Sequence, residues 1–237
     1  MTAIRGFLET SLLEWDGRIT AVAFLGGCNF RCPFCHVPDL VRCDDSLPIL
    51  SFEDIRTSLS EQGGWLDGVV ISGGEPTLDL SLGRLLEKLH SLGMLTRVNT
   101  NGSRPAILRQ LIDARLVDSV AMDVKTSLVP ERYHKAAGVD VDLAAIEESI
   151  DLLLASDIEA AFRTTIAPGF VTADDVASIA ARLGEGAMYG LQQFASENCM
   201  DASCRELKPY SRDEVAAIRQ AARAFIPSVK LRGIELD

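Results

Sequence analysis

Short apolar runs rich in β-branched residues recur along the chain, and between them lie longer stretches in which Leu, Ile and Ala return at helical intervals. The runs are Ile19 to Leu25, Gly68 to Ser72, Leu95 to Asn99, Ser119 to Val124, Glu159 to Ile166 and Met188 to Phe194. Helices are predicted over Phe52 to Gln62, Leu80 to Leu92, Pro105 to Ala114, Leu143 to Ala155, Ala173 to Leu183 and Ser211 to Phe225. Several open on Ser, Asp or Thr, whose side-chain oxygen can cap the first turn. Such alternation predicts an α/β fold of βαβ units around a mostly parallel sheet, and right-handed crossovers order the strands as they occur in sequence. Six units make an incomplete (β/α)6 TIM-like barrel with an open flank. Val229 to Ile234 is a candidate closing strand, and Gly6 to Glu14 followed by Asp16-Gly17 predicts an N-terminal β-hairpin. With no linker, low-complexity tract or repeat, the reading is one domain: hairpin 1–18, barrel core 19–194 and C-terminal extension 195–237.

Composition narrows the partners. The 237 residues are 47% hydrophobic and 24% charged, enough apolar material for one sizeable core and too much for a disordered chain. A net charge of −11 argues against a nucleic-acid binder and favours small-molecule or protein partners. Met1-Thr2-Ala3-Ile4-Arg5-Gly6 lacks the build of a signal peptide and no apolar run is long enough to span a bilayer, so the expectation is a cytoplasmic protein without membrane contact.

The chemistry concentrates in six cysteines. In a chain of this size without a signal peptide they read as thiols, metal ligands or redox centres rather than disulfides. Cys28, Cys32 and Cys35 form C-x3-C-x2-C directly after the first parallel run and Gly26-Gly27, at a strand's C-terminal end, where barrels collect their active groups. A structural zinc would want a fourth ligand, for which His36 stands adjacent in sequence but poorly placed. A [4Fe-4S] cluster held by three cysteines instead leaves one iron open for a substrate or cofactor. Cys43, Cys199 and Cys204 stay open between an auxiliary cluster and plain buried thiols. Other strand ends carry polar groups too: Ser72-Gly73-Gly74-Glu75-Pro76, Asn99-Thr100-Asn101-Gly102 and Asp123-Val124-Lys125. Arg163-Thr164-Thr165 and Gln192-Gln193 must each split between an inward and an outward face.

The cysteine motif, with aromatic Phe34 before its third member, resembles that of the radical S-adenosylmethionine (SAM) enzymes, and Gly73-Gly74-Glu75-Pro76 resembles their GGEP loop. The resemblance implies a radical SAM oxidoreductase in which Cys28, Cys32 and Cys35 bind the cluster and the open iron is chelated by SAM's amino and carboxylate groups. It further implies cofactor contacts from Phe34, Gly73, Gly74, Glu75, Thr100, Asn101, Asp123, Lys125 and Arg163. Across the whole chain the sequence is similar to activating enzymes of glycyl radical proteins, most of all those serving anaerobic ribonucleoside-triphosphate reductase. Stretches carrying this include Gly27 to His36, Phe162 to Thr165 and Leu191 to Phe194. A glycyl radical enzyme as partner and a flavodoxin or ferredoxin as electron donor follow from that likeness. Asn99 stands where related activators often have an acid, which argues against a metal cation beside SAM. Val37 to Ser51 holds only one cysteine, so the ferredoxin-like insert of some activators is missing and the compact type is implied. The same chemistry directed at a peptide or small molecule, or a non-catalytic metal-stapled module, are the competing readings.

Overall fold

The computed structural model describes residues 4–62 and 64–233. In chain order its elements are β1 (Ile4–Ser11), β2 (Thr20–Leu25), α1 (Pro38–Arg42), α2 (Phe52–Glu61), β3 (Gly68–Gly73), α3 (Leu82–Ser91), β4 (Leu95–Thr100), α4 (Pro105–Asp113) and β5 (Ser119–Asp123). There follow α5 (Pro130–Ala137), α6 (Leu143–Ala155), β6 (Glu159–Ile166), α7 (Ala173–Leu183), β7 (Met188–Gln193), α8 (Arg212–Arg223) and β8 (Lys230–Arg232). Single 3₁₀ turns lie at Pro76–Leu78 and Ala202–Glu206.

All strands join one sheet in the order β1-β2-β3-β4-β5-β6-β7-β8. Pairing is parallel from β2 onward and antiparallel only between β1 and β2. The sheet curls into an incomplete barrel whose strands β2 to β5 are buried on both faces, as parallel strands covered by helices must be. Val69, Val70 and Ile71 are fully buried, and α3 sets Leu82, Leu85, Leu86 and Leu89 against the sheet. Predicted capping is present: Ser51 with Asp54, Thr172 with Asp175 and Ser211 with Glu214 form reciprocal boxes at the starts of α2, α7 and α8.

Three features differ from the sequence reading. The hairpin is real, but its second arm is β2 itself, so β1 is an edge strand of the barrel sheet and residue 18 falls inside the connecting loop. That loop folds under the barrel and inserts Trp15, 1% exposed, beside Val22 and Val70. Helices α1 and α5 were not foreseen. The first has only five residues, and the second, Pro-Glu-Arg-Tyr-His-Lys-Ala-Ala, has too few apolar positions for a periodic signal. Pro130 at its first position and Gly138 just past its end, at φ +68°, were the available signals. Of the run Val229 to Ile234, β8 occupies Lys230–Arg232, and Ile234 lies outside the described residues.

Among the described residues β1 and β8 are not paired, which leaves the flank open. It is strapped at the end where the parallel strands begin: Asp16 meets Lys230 and Arg232 at 2.6 Å each, and Arg232 donates to the Leu13 carbonyl at 2.8 Å. Burial works to raise the Asp16 pKa, but Lys230 and Arg232 outweigh it and hold the carboxyl below its ordinary value. The strap's stabilisation is therefore complete above that ordinary value and fades as pH falls through the depressed one. Asp16→Asn should cost no more than about 1 kcal/mol at pH 7 and low salt. Denaturant midpoints of variant and parent should converge in about 1 M salt and in acid.

Candidate active site

The cluster loop leaves β2 through Gly26 and Gly27 and is clamped from both sides by backbone. Arg31 N donates to the Ala137 carbonyl at the end of α5 at 2.8 Å, while Met200 N and Asp201 N donate to the carbonyls of Cys35 and Pro33 at 2.9 and 3.0 Å. A Cβ on Gly138 would stand 2.1 Å from the Arg31 carbonyl oxygen, so only glycine lets α5 approach the loop. Phe30, edge-on to Tyr133 at 6.5 Å, and Phe34, 5.2 Å from Phe170, pack the loop's apolar side.

The end of β3 is bound to this loop. Gly74 N donates to the Leu25 carbonyl at 2.9 Å and Glu75 N to the Gly27 carbonyl at 2.7 Å. A Cβ at Gly73 or Gly74 would come within 2.2 and 1.9 Å of those same carbonyl oxygens. The backbone at the end of β2 and just beyond it thus already requires both glycines, apart from the cofactor contacts that the resemblance implies for them.

A cavity of about 210 Å³ opens above the strand ends, lined by Cys28, Cys32, Cys35, Phe34, Gly73 and Gly74 on one side. Thr100, Asn101, Asp123, Lys125 and Arg163 complete its wall, so eleven of the twelve predicted site residues meet in one place. Glu75 is the exception. Its carboxylate, 1% exposed, accepts from Thr77 N at 3.1 Å, Thr77 Oγ1 at 2.6 Å, Thr100 Oγ1 at 2.7 Å and Asn101 N at 2.6 Å. The carboxylate does not line the cavity; both its oxygens take donors from the neighbouring backbone and threonines, where it holds the ends of β3 and β4 together. Burial pushes its pKa up against those four hydrogen bonds.

The polar residues of β6 and β7 divide between the cavity and the surrounding structure. Arg163, Thr165 and Gln192 line the cavity, whereas Thr164 bonds to the Val124 carbonyl and Gln193 to the Tyr210 carbonyl. Sequence reasoning also missed Glu14, which rises from the β1–β2 loop to form the cavity floor. Asn99 Nδ2 donates to its Oε2 at 3.2 Å, and Arg163 lies 3.8 Å away. No local pattern marks it, because only the fold of that loop brings it inside.

Electrostatics at the wall centre on Asp123, 3.0 Å from Arg163 Nε and 3.3 Å from Lys125 Nζ. Burial opposes its charge, but the two cations hold its carboxyl below the ordinary range; in turn Asp123 outweighs burial and raises Lys125. Burial raises the thiols of Cys28 and Cys32, the latter to about 12, and lowers His36. Without a bound cation the two thiols are therefore protonated, and ligation must release their protons. Asn101 Nδ2 lies 3.9 Å from Cys28 Sγ and donates to Asn29 Oδ1 at 2.9 Å. Cys199 and Cys204 are buried with the core behind the loop, Cys43 Sγ lies against Gly26, and none of the three lines the cavity.

Among the described residues no three His, Cys, Asp or Glu side chains converge on a single metal ion. Three thiols facing one shared cavity match the donor set of a [4Fe-4S] cluster, in which each thiolate meets a different iron.

The family model for the Radical SAM superfamily matches residues 22–183, more than half of the chain. The chain belongs to the Radical SAM superfamily. It is accordingly a radical SAM enzyme, with a [4Fe-4S] cluster and SAM as cofactors. A protein of Methanocaldococcus jannaschii, provisionally assigned as a glycyl-radical enzyme activating enzyme, is 28% identical over 98% of this chain and 96% of its own. The 7-carboxy-7-deazaguanine synthase of Hyperthermus butylicus is 37% identical, but over 40% of each chain. In fold the chain is similar to SuiB of Streptococcus suis bound to its precursor peptide SuiA, with TM-score 0.67 and 13% identity over 88% of this chain. It spans about half of that longer protein, 47%.

Glu75→Gln tests the clamp. All four partners of the carboxylate are donors, so an amide nitrogen must face one of them; the variant should lose about 1–3 kcal/mol of stability, read as a lower denaturant midpoint at unchanged slope. Gly138→Ala should lower the iron bound per chain after anaerobic reconstitution, because the added methyl forces α5 off the cluster loop.

Proposed function

We propose that this chain is an activase that generates a glycyl radical on a partner protein, one like anaerobic ribonucleotide reductase. The observation that carries the reading is likeness along the entire chain to a protein assigned as a glycyl-radical enzyme activating enzyme, where relatives with small-molecule products match only a part. The same reading puts the chain in the cytoplasm, with a reduced flavodoxin or ferredoxin as electron donor.

Cys28, Cys32 and Cys35 would hold the cluster, and the backbone of Gly73 and Gly74 with Phe34, Thr100, Asn101, Asp123, Lys125 and Arg163 would receive SAM. The bound pair would supply one-electron cleavage of the sulfonium, chemistry able to remove a hydrogen atom from a glycine Cα of the partner. The chain's own task is placement and exclusion of water. Asn101 steadies the loop through Asn29 and leans on the Cys28 sulfur. Asp123, kept ionised between Arg163 and Lys125, presents a fixed charge at the rim, and Glu75 acts as a positioning residue through Thr100 and Asn101. Thr165 and Gln192 stand on the β6–β7 wall, away from the β2 and β3 ends, where a glycine-bearing segment entering through the open flank would lie.

A second reading keeps the radical and changes the target to a small molecule; the partial match to 7-carboxy-7-deazaguanine synthase favours it. Anaerobic reconstitution followed by SAM and dithionite should give 5′-deoxyadenosine, and Cys28→Ala, Cys32→Ala and Cys35→Ala should each reduce it to background together with the cluster absorbance. Cleavage retained in any of the three would remove the ligand assignment. Mixing the loaded enzyme with a glycyl radical protein encoded nearby should produce the glycyl doublet in electron paramagnetic resonance. Its absence with every such protein would move the assignment to the small-molecule reading.

A further inference from the structure

Below the floor formed by Glu14, Asn99 and Arg163, the barrel holds a second cavity of about 270 Å³. Four cations line it, Arg97, Arg163, Lys230 and Arg232, against two carboxylates, Asp16 and Glu159. Arg163 is committed upward to Asp123 and Glu14. Lys230 and Arg232 share Asp16, leaving Arg97 only Glu159, at 3.4 Å. That carboxylate is itself shared, since Trp15 Nε1 donates to it at 2.9 Å. In a chain of net charge −11, Arg97, Lys230 and Arg232 set against only Asp16 and Glu159 leave one positive charge in excess here.

Arg97 makes the excess costly. Its side chain is 2% exposed, and Nε and Nη2 have no hydrogen-bond partner among the described residues. The Trp15 ring, 5.7 Å away, attracts the guanidinium but satisfies no N–H. Burial, with repulsion from Arg163 and Arg232, lowers its pKa to about 10. A buried charge with open donors calls for a partner. Space for one exists because Ala161 and Gly190 contribute almost no side chain: a Cβ on Gly190 would meet nothing nearer than the Phe162 carbonyl oxygen at 3.9 Å. Access exists because Lys230 and Met188 are solvent-exposed at the margin.

We propose that this lower cavity binds a small oxyanion, the carboxylate or phosphate group of a metabolite, between Arg97 and the β8 pair Lys230 and Arg232. Guanidinium groups suit such ligands because their N–H forks match two oxygens at once. This site stands apart from the SAM cavity, sharing only Arg163 with it, and does not depend on the identity of the radical's target.

The test is calorimetric titration of the cluster-loaded, SAM-saturated enzyme with inorganic phosphate and, separately, acetate, at ionic strength held constant with chloride. Saturable binding is expected for at least one probe: phosphate alone identifies a phosphorylated ligand, acetate alone a carboxylate. Arg232→Gln removes a fork and Gly190→Leu fills the space; each should weaken binding about tenfold or more and leave SAM cleavage unchanged. Should Gly190→Leu fold poorly, Arg232→Gln decides by itself. No saturable heat with either probe, or binding undiminished by Arg232→Gln, overturns the proposal.

Discussion

The carboxylate of Glu75 is the tie on which the active rim depends. Its backbone N–H reaches the Gly27 carbonyl at the end of β2, while its side chain collects donors from Thr77 beyond β3 and from Thr100 and Asn101 at the end of β4. Three successive strand ends are thereby brought to one level. A buried carboxylate without donors would be strongly unfavourable, and here four donors arrive from the ends of two neighbouring strands. The glycines before it let the β2 and β3 backbones close to hydrogen-bond distance, so the cradle and the clamp are one construction.

Beneath that rim the interior is layered by charge. Asp123 neutralises Arg163 and Lys125 at the cavity wall, and Glu14 and Asn99 close the floor. Below the floor lie Trp15 and Arg97, and lowest the Asp16 strap to β8. The loop between β1 and β2 supplies one residue to each layer: Glu14 to the floor, Trp15 to the plug and Asp16 to the strap. A single eight-residue connection, 12–19, thus substitutes for the strands an incomplete barrel lacks.

Much of the architecture was legible in the residues. β6, α6 and α7 occupy the predicted spans, and most other elements differ by one or two positions, since apolar periodicity reports which face of an element is buried whatever it is buried against. Helix α5 escaped because it covers the cluster loop with few apolar residues and is held by Gly138 against Arg31 instead. Of the site, the residues of the strand-end motifs were found together, but their division of labour was not: Glu75 does not line the cavity, and Glu14 enters from a loop with no motif of its own.

The cysteine spacing, the glycine-rich strand end and the strand–helix alternation are local, and the sequence by itself determined from them a parallel α/β barrel of radical SAM type with Cys28, Cys32 and Cys35 on its rim. Which polar groups face the cavity depends on contacts between segments far apart in the chain. Asp16 meets β8 across more than two hundred residues, and Arg97 and Trp15 both reach Glu159 from distant elements. Only the tertiary structure decided these, because a side chain's partner in a curled sheet is fixed by strand register and loop path rather than by its neighbours in sequence.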